Sequence, residues 1–447
     1  MHTVYRPIPR LPAWPLIGNV FALRKYRLQL LERISHEFGE IGAFHFGPRL
    51  VPLLNSPELI RSVLVEQSTA FEKTATVRAL ATPVLGQGVF LSEGEEHRQQ
   101  RKLLAPLFQQ QQSLLYVETM LACAERLQER WQEGEIIDLA DEMTRLTLWI
   151  ISEILFGVDV AGEEQALGAA LTYTFRHFTG AMTNPLRLPQ SWPTPRNQRS
   201  HEALNRINAS LYRMIEERRH SDERRQDFLS LLLREPREEQ APELSNRQVR
   251  DEALSLFVAG HETTANALTW CWYLLSQHPT IAARLQAEGD AVLQGRTPTV
   301  EDLPNLPYTL QVFKETLRLY PPVYAFTRRA MIPVQLGDYM IPAGTSVVIS
   351  PYTLQRRASL FPEPERFDPD RFALPQEQQI PRYAYLPFGA GPHVCLGQYV
   401  ALLEGHLLLA TLAQRLSFEF AGSGPVEPEP LLTLRAKGTV AMRVRRR

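Results

Sequence analysis

From about residue 97 to residue 318, apolar residues recur three to four positions apart and polar residues fill the intervening faces. This period predicts helices over Arg98–Gln110, Leu114–Gln132, Leu139–Phe156, Glu163–Phe178, Glu202–Arg219 and Asn246–Gln277. Nearly all prolines fall outside these stretches, as expected of a residue that lacks a backbone N–H and ends helices. The segment Ala181 to Ser200, with Pro185, Pro189, Pro193 and Pro195, reads as a loop. Outside the helical block the period shortens. Ile41–Phe46 and Val51–Asn55 read as a hairpin turning through Gly47–Pro48, and Gln335–Ser350 as strand, turn and strand. A last helix runs from about Leu396 to Leu416. The fold class is therefore mainly α with a minor β-sheet region.

Composition narrows the functional classes. The 447 residues carry 48 Lys+Arg against 49 Asp+Glu, a net charge of −1. A nucleic-acid binder would show a basic excess or stripe, so none is expected as a partner. Apolar runs such as Leu146–Ile151 and Leu407–Ala413 fall far short of the roughly 20 residues of a bilayer span. The N-terminus is broken by Pro7, Pro9, Pro12 and Pro15 and does not read as a signal peptide. No transmembrane segment is expected, and the expected location is the cytoplasm. Three scattered cysteines, Cys123, Cys271 and Cys395, make no disulfide framework.

Cys395 has the most suggestive surroundings. In Phe388-Gly-Ala-Gly-Pro-His-Val-Cys-Leu-Gly397, glycines and a proline form a tight loop just ahead of a helix. The positive end of a helix dipole favours thiolate over thiol, and a thiolate is both nucleophile and metal ligand. A lone cysteine is otherwise most simply a small packing residue.

The segment Ala259-Gly-His-Glu-Thr-Thr264 lies mid-way along the longest helix, which opens with Ser245 and Gln248 in capping-box spacing. At 1.5 Å per residue that helix spans about 48 Å. A mid-helix glycine costs about 1 kcal/mol relative to alanine, and threonine hydroxyls compete for backbone carbonyls. Gly260 beside Thr263 and Thr264 thus suggests either a local distortion kept for a purpose or close helix packing. His261-Glu262 opens like a zinc-protease helix, but Ala265 stands where the second histidine belongs. Glu315 and Arg318 share a helix face, as do His97 and Arg101.

In this order the segments resemble the cytochromes P450 over nearly the whole chain. Phe388, Gly391, Cys395 and Gly397 match the family's Phe-x-x-Gly-x-x-x-Cys-x-Gly loop, and Glu262-Thr263 its acid–alcohol pair. Glu315-x-x-Arg318 matches its Glu-x-x-Arg pair, and His97 with Arg98-x-x-Arg101 the segment that binds propionates. The resemblance implies one haem domain over residues 1–447. Within it are a β-containing lobe to about 70, a helical lobe over about 71–320, and a sheet and ligand-loop region beyond. The long central helix would lie over the haem, with the cysteine loop beneath it.

The same resemblance assigns roles. Haem b would take Cys395 thiolate as axial iron ligand, with Phe388 and Gly389 against it in the loop and His97, Arg101, Arg328 and His393 on the propionates. Glu262 and Thr263 would relay protons to bound O2. Glu315, Arg318 and Arg371 would form a structural triad, with Arg366 a nearby alternative to Arg371. The implied activity inserts one oxygen atom of O2 into a C–H or C=C bond of a lipophilic small molecule such as a terpenoid, fatty acid or macrolide.

Little chain follows Cys395, so a separate ferredoxin or flavodoxin with its reductase would supply electrons, docking on Arg98, Arg101 and Lys102. A monomer is expected. Pocket segments by family position are Thr74–Phe90, Phe175–Leu188, Leu256–Gly260 and Val323–Phe326, with Lys73, Arg78 or Arg49 as carboxylate anchors and the loop 181–200 as a lid. Three rival readings remain at this point: a peroxide-driven peroxygenase, a non-catalytic haem-binding sensor, and a haem-free hydrolase built on Cys395 and His393.

Overall fold

A computed structural model describes residues 5–158, 170, 173–174, 192, 194–220, 227–234 and 244–447. The expected helix Glu163–Phe178, the pocket segment Phe175–Leu188 and most of the loop 181–200 lie outside the described residues. The chain divides into two units. One comprises residues up to Thr76 with Lys314–Cys395, the other Val77–Phe313 with Leu396–Arg447.

The first unit is organised by a five-stranded sheet with Ile41–Phe46 at one edge, followed by Arg49–Leu54, Ser346–Ile349, Phe326–Ala330 and Phe71–Glu72. The opening hairpin is antiparallel, pairing Ile41 with Leu54 and Phe46 with Arg49. Leu53 then pairs in parallel with Val348, and Phe326 antiparallel with Ile349. Successive side chains point to opposite faces of a strand, so this register feeds two cores. Leu53 and Val348 pack with Leu30, Leu31 and Ile34 of the helix Arg27–Glu37. Leu54, Val347 and Ile349 pack on the other face with Leu59, Ile60 and Phe71. The stretch expected as strand, turn, strand is a separate hairpin, Val334–Leu336 with Tyr339–Ile341, followed by the sheet strand Ser346–Ile349.

The second unit is built round the helix Asn246–Gln277. Its start is fixed by a complete capping box between Ser245 and Gln248. Leu254, Phe257 and Val258 pack into one core with Leu155 and Phe156 of the helix Leu139–Phe156 and with Ile207, Leu211 and Ile215 of Pro195–His220. Further helices Val117–Arg130, Pro279–Leu293 and Gln398–Arg415 complete the unit, with a three-stranded sheet (Ile136–Asp138, Ala441–Arg446, Leu416–Phe420) and the hairpin Pro428–Pro430 with Leu434–Ala436.

The expected helix Leu114–Gln132 is a 3₁₀ turn over Leu114–Tyr116 and a helix over Val117–Arg130. Two other limits differ from the expected ones for clear local reasons. Arg98–Gln110 is a helix only over Gly94–Leu104, because Pro106 imposes a 3₁₀ turn at Ala105–Phe108. Pro195–Ser200 is helical rather than loop. Pro195 takes the first helical position, which needs no N–H, and the Asn197 amide donates to Thr194 Oγ1 at 3.1 Å. No helix among the described residues is long and apolar enough to cross a membrane.

Candidate active site

In the first unit the cysteine loop rests on a buried polar clamp. Glu315 and Arg318 are fully buried and meet as a bidentate pair, Arg318 Nε to Oε2 at 2.7 Å and Nη2 to Oε1 at 2.8 Å. A buried ion pair survives only when its remaining donors and lone pairs are met, and here they are. Arg318 also donates to the carbonyls of Gln355, Pro364 and Arg366. Glu315 Oε1 accepts from the Asp368 amide at 2.9 Å and lies 3.4 Å from Arg371 Nε. The Arg366 guanidinium pairs instead with exposed Glu363.

Gln355 has no motif of its own and is central to this arrangement. Fully buried, it donates through Nε2 to the carbonyls of Leu317 and Arg318 and accepts the Leu386 amide on Oε1 at 2.7 Å. One side chain thereby joins the Glu315 helix to the strand of chain entering the loop. No sequence signal marks a glutamine whose partner lies 31 positions away.

The loop is closed by its own backbone. The Cys395 amide donates to the Phe388 carbonyl at 2.9 Å, and the Val394 amide to Gly391 at 3.0 Å, round a 3₁₀ turn at Gly391–His393. Gly389 and Gly391 both take φ +70°. A Cβ on Gly391 would stand 1.8 Å from the Leu64 carbonyl oxygen, so only glycine fits there. From Pro387 to Cys395 no residue is buried. Cys395 is the exposed thiol of the three, while Cys123 and Cys271 are buried. His393 is half-buried in the turn, and Arg328, half-buried on its strand, lies 5.2 Å over the Phe326 ring.

In the second unit the central helix is buried from Val249 to Val258 and again from Thr264 to Leu275. Between these stretches Ala259, Gly260, Glu262 and Thr263 form an accessible window, with His261 turned inward. The helix is continuous through the window, with no break at Gly260. Thr263 Oγ1 donates to the Ala259 carbonyl at 2.6 Å, and Glu262 Oε1 accepts from Thr433 at 2.7 Å. Thr264 instead bonds to Glu404 on Gln398–Arg415, whose carboxyl burial pushes up to about 8.

Two turns before the window, the Asp251 and Glu252 carboxylates accept the amides of Gln87 and Val89, both at 2.9 Å. Burial, with Asp251 and Glu96 adding, pushes Glu252 up to about 8. His97 is buried and Arg101 half-buried, one turn apart on Gly94–Leu104. Arg98 is paired with Glu95 at 2.7 Å, which offsets its charge. Arg49 is exposed, and Lys73 and Arg78 are half-buried.

These residues fit a thiolate-ligated haem. The donor is an accessible sulfur at the end of a rigid loop, and a Cβ on neighbouring Gly389 would meet nothing within 4 Å. Between its two buried runs the central helix opens at the turn that carries Glu262 and Thr263. His97, Arg101, Arg328 and His393 offer donors suited to carboxylates.

Residues 9–441 match the family Cytochrome P450. Among curated proteins, the chain is 35% identical over 424 residues to cyclooctatin synthase of Streptomyces melanosporofaciens, covering 94% of this chain and 92% of that one. It is 36% identical over 403 residues to cyclooctat-9-en-7-ol 5-monooxygenase of the same organism, covering 90% and 87%. It is 32% identical over 430 residues to pentalenene oxygenase of Streptomyces avermitilis, covering 94% and 93%. Among solved structures, the heme domain of cytochrome P450DA superposes with a TM-score of 0.91 at 26% identity, over 99% of this chain and 98% of that one. The chain belongs to the cytochrome P450 family of haem-thiolate enzymes, which bind haem through an axial cysteine. It is an oxidoreductase of the monooxygenase type.

Proposed function

We propose that the whole chain serves as one haem domain that inserts an oxygen atom of O2 into a C–H or C=C bond of a terpenoid-like substrate, with electrons from a separate ferredoxin or flavodoxin and its reductase. Two relatives are named for an unsaturated alcohol and an unsaturated hydrocarbon, which supports a lipophilic substrate with few polar handles. Leu85, Val89, Leu256 and Val258, in the segments expected by family position to face the substrate, are apolar and buried, in keeping with that class. The observation that carries the reading is the accessible window at Ala259–Thr263 between the two buried runs of the central helix.

Within this reading, haem bound through Cys395 supplies the activation of O2 and the oxygen transfer. The protein's part is to hold groups and move protons. The Cys395 amide bond to Phe388 and the clamp behind it fix the direction of the sulfur. His97, Arg101, Arg328 and His393 hold the propionates. The Thr263 hydroxyl commits its single proton to the Ala259 carbonyl, so its oxygen faces the window as an acceptor. Glu262, half-exposed at the preceding position, collects protons from solvent; Thr263 accepts each on its oxygen and releases the one it held toward Ala259 as the hydroxyl turns to the window, so the hydroxyl is left unchanged. Both sit on a rigid helix rather than a loop, which keeps the relay in register. Arg98, Arg101 and Lys102 on the helix Gly94–Leu104 are the basic residues that would meet an acidic partner, Arg98 with Glu95 beside it.

The test is a titration of the haem spin state with terpenoid hydrocarbons and alcohols, fatty acids and macrolides. Saturable shifts with the terpenoids, followed by oxygenated product in the presence of ferredoxin and reductase, are expected. Shifts confined to fatty acids or macrolides would overturn the substrate class.

A further inference from the structure

The C-terminal hairpin is stitched to one face of the central helix. Glu262, Asn266 and Trp270 recur every four residues and so lie in one stripe. Thr433 Oγ1 donates to Glu262 Oε1 at 2.7 Å, Asn266 Nδ2 donates to Thr433 Oγ1 at 3.0 Å, and Trp270 Nε1 donates to the Leu434 carbonyl at 3.1 Å. One turn further, the Tyr273 hydroxyl accepts the Val426 amide at 3.1 Å. Asn266, Trp270 and Thr433 are buried, whereas Glu262 is half-exposed in the window. Its carboxyl therefore spans a dry seam and the accessible turn of the helix.

The bonding has one direction. An amide nitrogen can only donate, so Asn266 Nδ2 takes a lone pair of the Thr433 oxygen. The hydroxyl owns a single proton, which then goes to Glu262 Oε1. Oε1 is an acceptor held in a partly buried bond, and Oε2 is left as the oxygen that exchanges a proton. In a poorly hydrated seam such a bond is strong and costly to leave unmade.

We propose that Thr433 is a positioning residue for Glu262, with Oε1 the anchor and Oε2 the proton carrier. Without the anchor the carboxyl is free to change rotamer about its three side-chain torsions, and its delivery of protons to Thr263 becomes intermittent. The proposal rests on Glu262 being the proton carrier of the proposed function.

The test compares Thr433→Val, Thr433→Ala and Thr433→Ser with wild type and Glu262→Gln, all as haem-loaded protein. Two quantities are read. One is the ratio of peroxide released to product formed. The other is the carboxyl infrared band of Glu262, found by difference from Glu262→Gln. Thr433→Val is expected to shift that band and to raise the peroxide-to-product ratio on the order of tenfold, the worth of one lost hydrogen bond to a carboxyl. Its carbon-monoxide spectrum and its affinity for substrate should stay as in wild type. Thr433→Ala reads the same loss if valine impairs folding, and Thr433→Ser should restore both quantities. A wild-type ratio in Thr433→Val and Thr433→Ala while Glu262→Gln uncouples would overturn the positioning role and leave the proposed function standing. A wild-type ratio in Glu262→Gln would overturn the carrier role, and this proposal with it.

Discussion

Gln355 Oε1 accepts the amide proton of Leu386 at 2.7 Å, two residues before Phe388, and through that bond the buried Glu315–Arg318 pair reaches the chain that carries Cys395. Replacing Gln355 with leucine keeps the volume and strands three buried groups, the Leu386 amide and the carbonyls of Leu317 and Arg318. A loss of about 2–4 kcal/mol in unfolding free energy is expected, with weaker haem retention. Denaturant unfolding and haem content after gel filtration check it.

Glu404 gives stability a definite pH dependence. The unfolded chain ionises this carboxyl near the ordinary 4.5, the folded chain only near 8, because burial disfavours the charge. Between those values the folded state binds more protons, so this group's contribution falls as pH rises from about 4.5 to about 8 and is level above that. Glu404→Gln cannot ionise and keeps a partner for Thr264. Its thermal midpoint should exceed the wild type's at pH 8.5 and approach it at pH 5. Glu252→Gln should behave with the same sign, since Glu252 is also pushed up to about 8. Parallel pH profiles in variant and wild type would refute the assignment.

Gly391 cannot be enlarged. Alanine there would combine an unfavourable φ of +70° with a clash against the Leu64 carbonyl. Gly391→Ala should cost at least about 1–3 kcal/mol and displace the Cys395 loop. Haem incorporation during expression, read by absorbance per protein, is expected to fall several-fold. Gly389→Ala meets no neighbouring atom and should cost less.

Thr263→Ala removes the hydroxyl bonded to Ala259 without enlarging any side chain. Haem binding and substrate affinity should persist while peroxide release rises at the expense of product, about tenfold or more in their ratio. Unchanged coupling would count against a proton relay through Thr263.

The elements most legible in the sequence were those specified locally. Asn246–Gln277 and Leu139–Phe156 take the limits that their periodicity predicts, and the supports are local: Ser245 with Gln248 caps the first, and in the structure the Asp138 side chain accepts the Ala140 amide at the start of the second. The opening hairpin is equally local. Pro195 misled as a loop signal because proline is acceptable at the first helical position, where its missing N–H breaks no bond. Around the site, residue types carried the chemistry of Cys395, Glu262 and Thr263, but their supports stayed invisible. Gln355, Thr433 and Glu252 act on partners 31 to 171 positions away, and no spacing encodes such contacts. Only the folded chain brings them to the residues they hold.

The account's central claim is that Cys395 thiolate ligates haem. It is tested most directly by the carbon-monoxide difference spectrum of the reduced protein, recorded beside Cys395→Ser. The wild type should give the strongly red-shifted Soret band of thiolate ligation, and Cys395→Ser should lose it. A histidine-type band in the wild type, or a thiolate band that survives in Cys395→Ser, would contradict it.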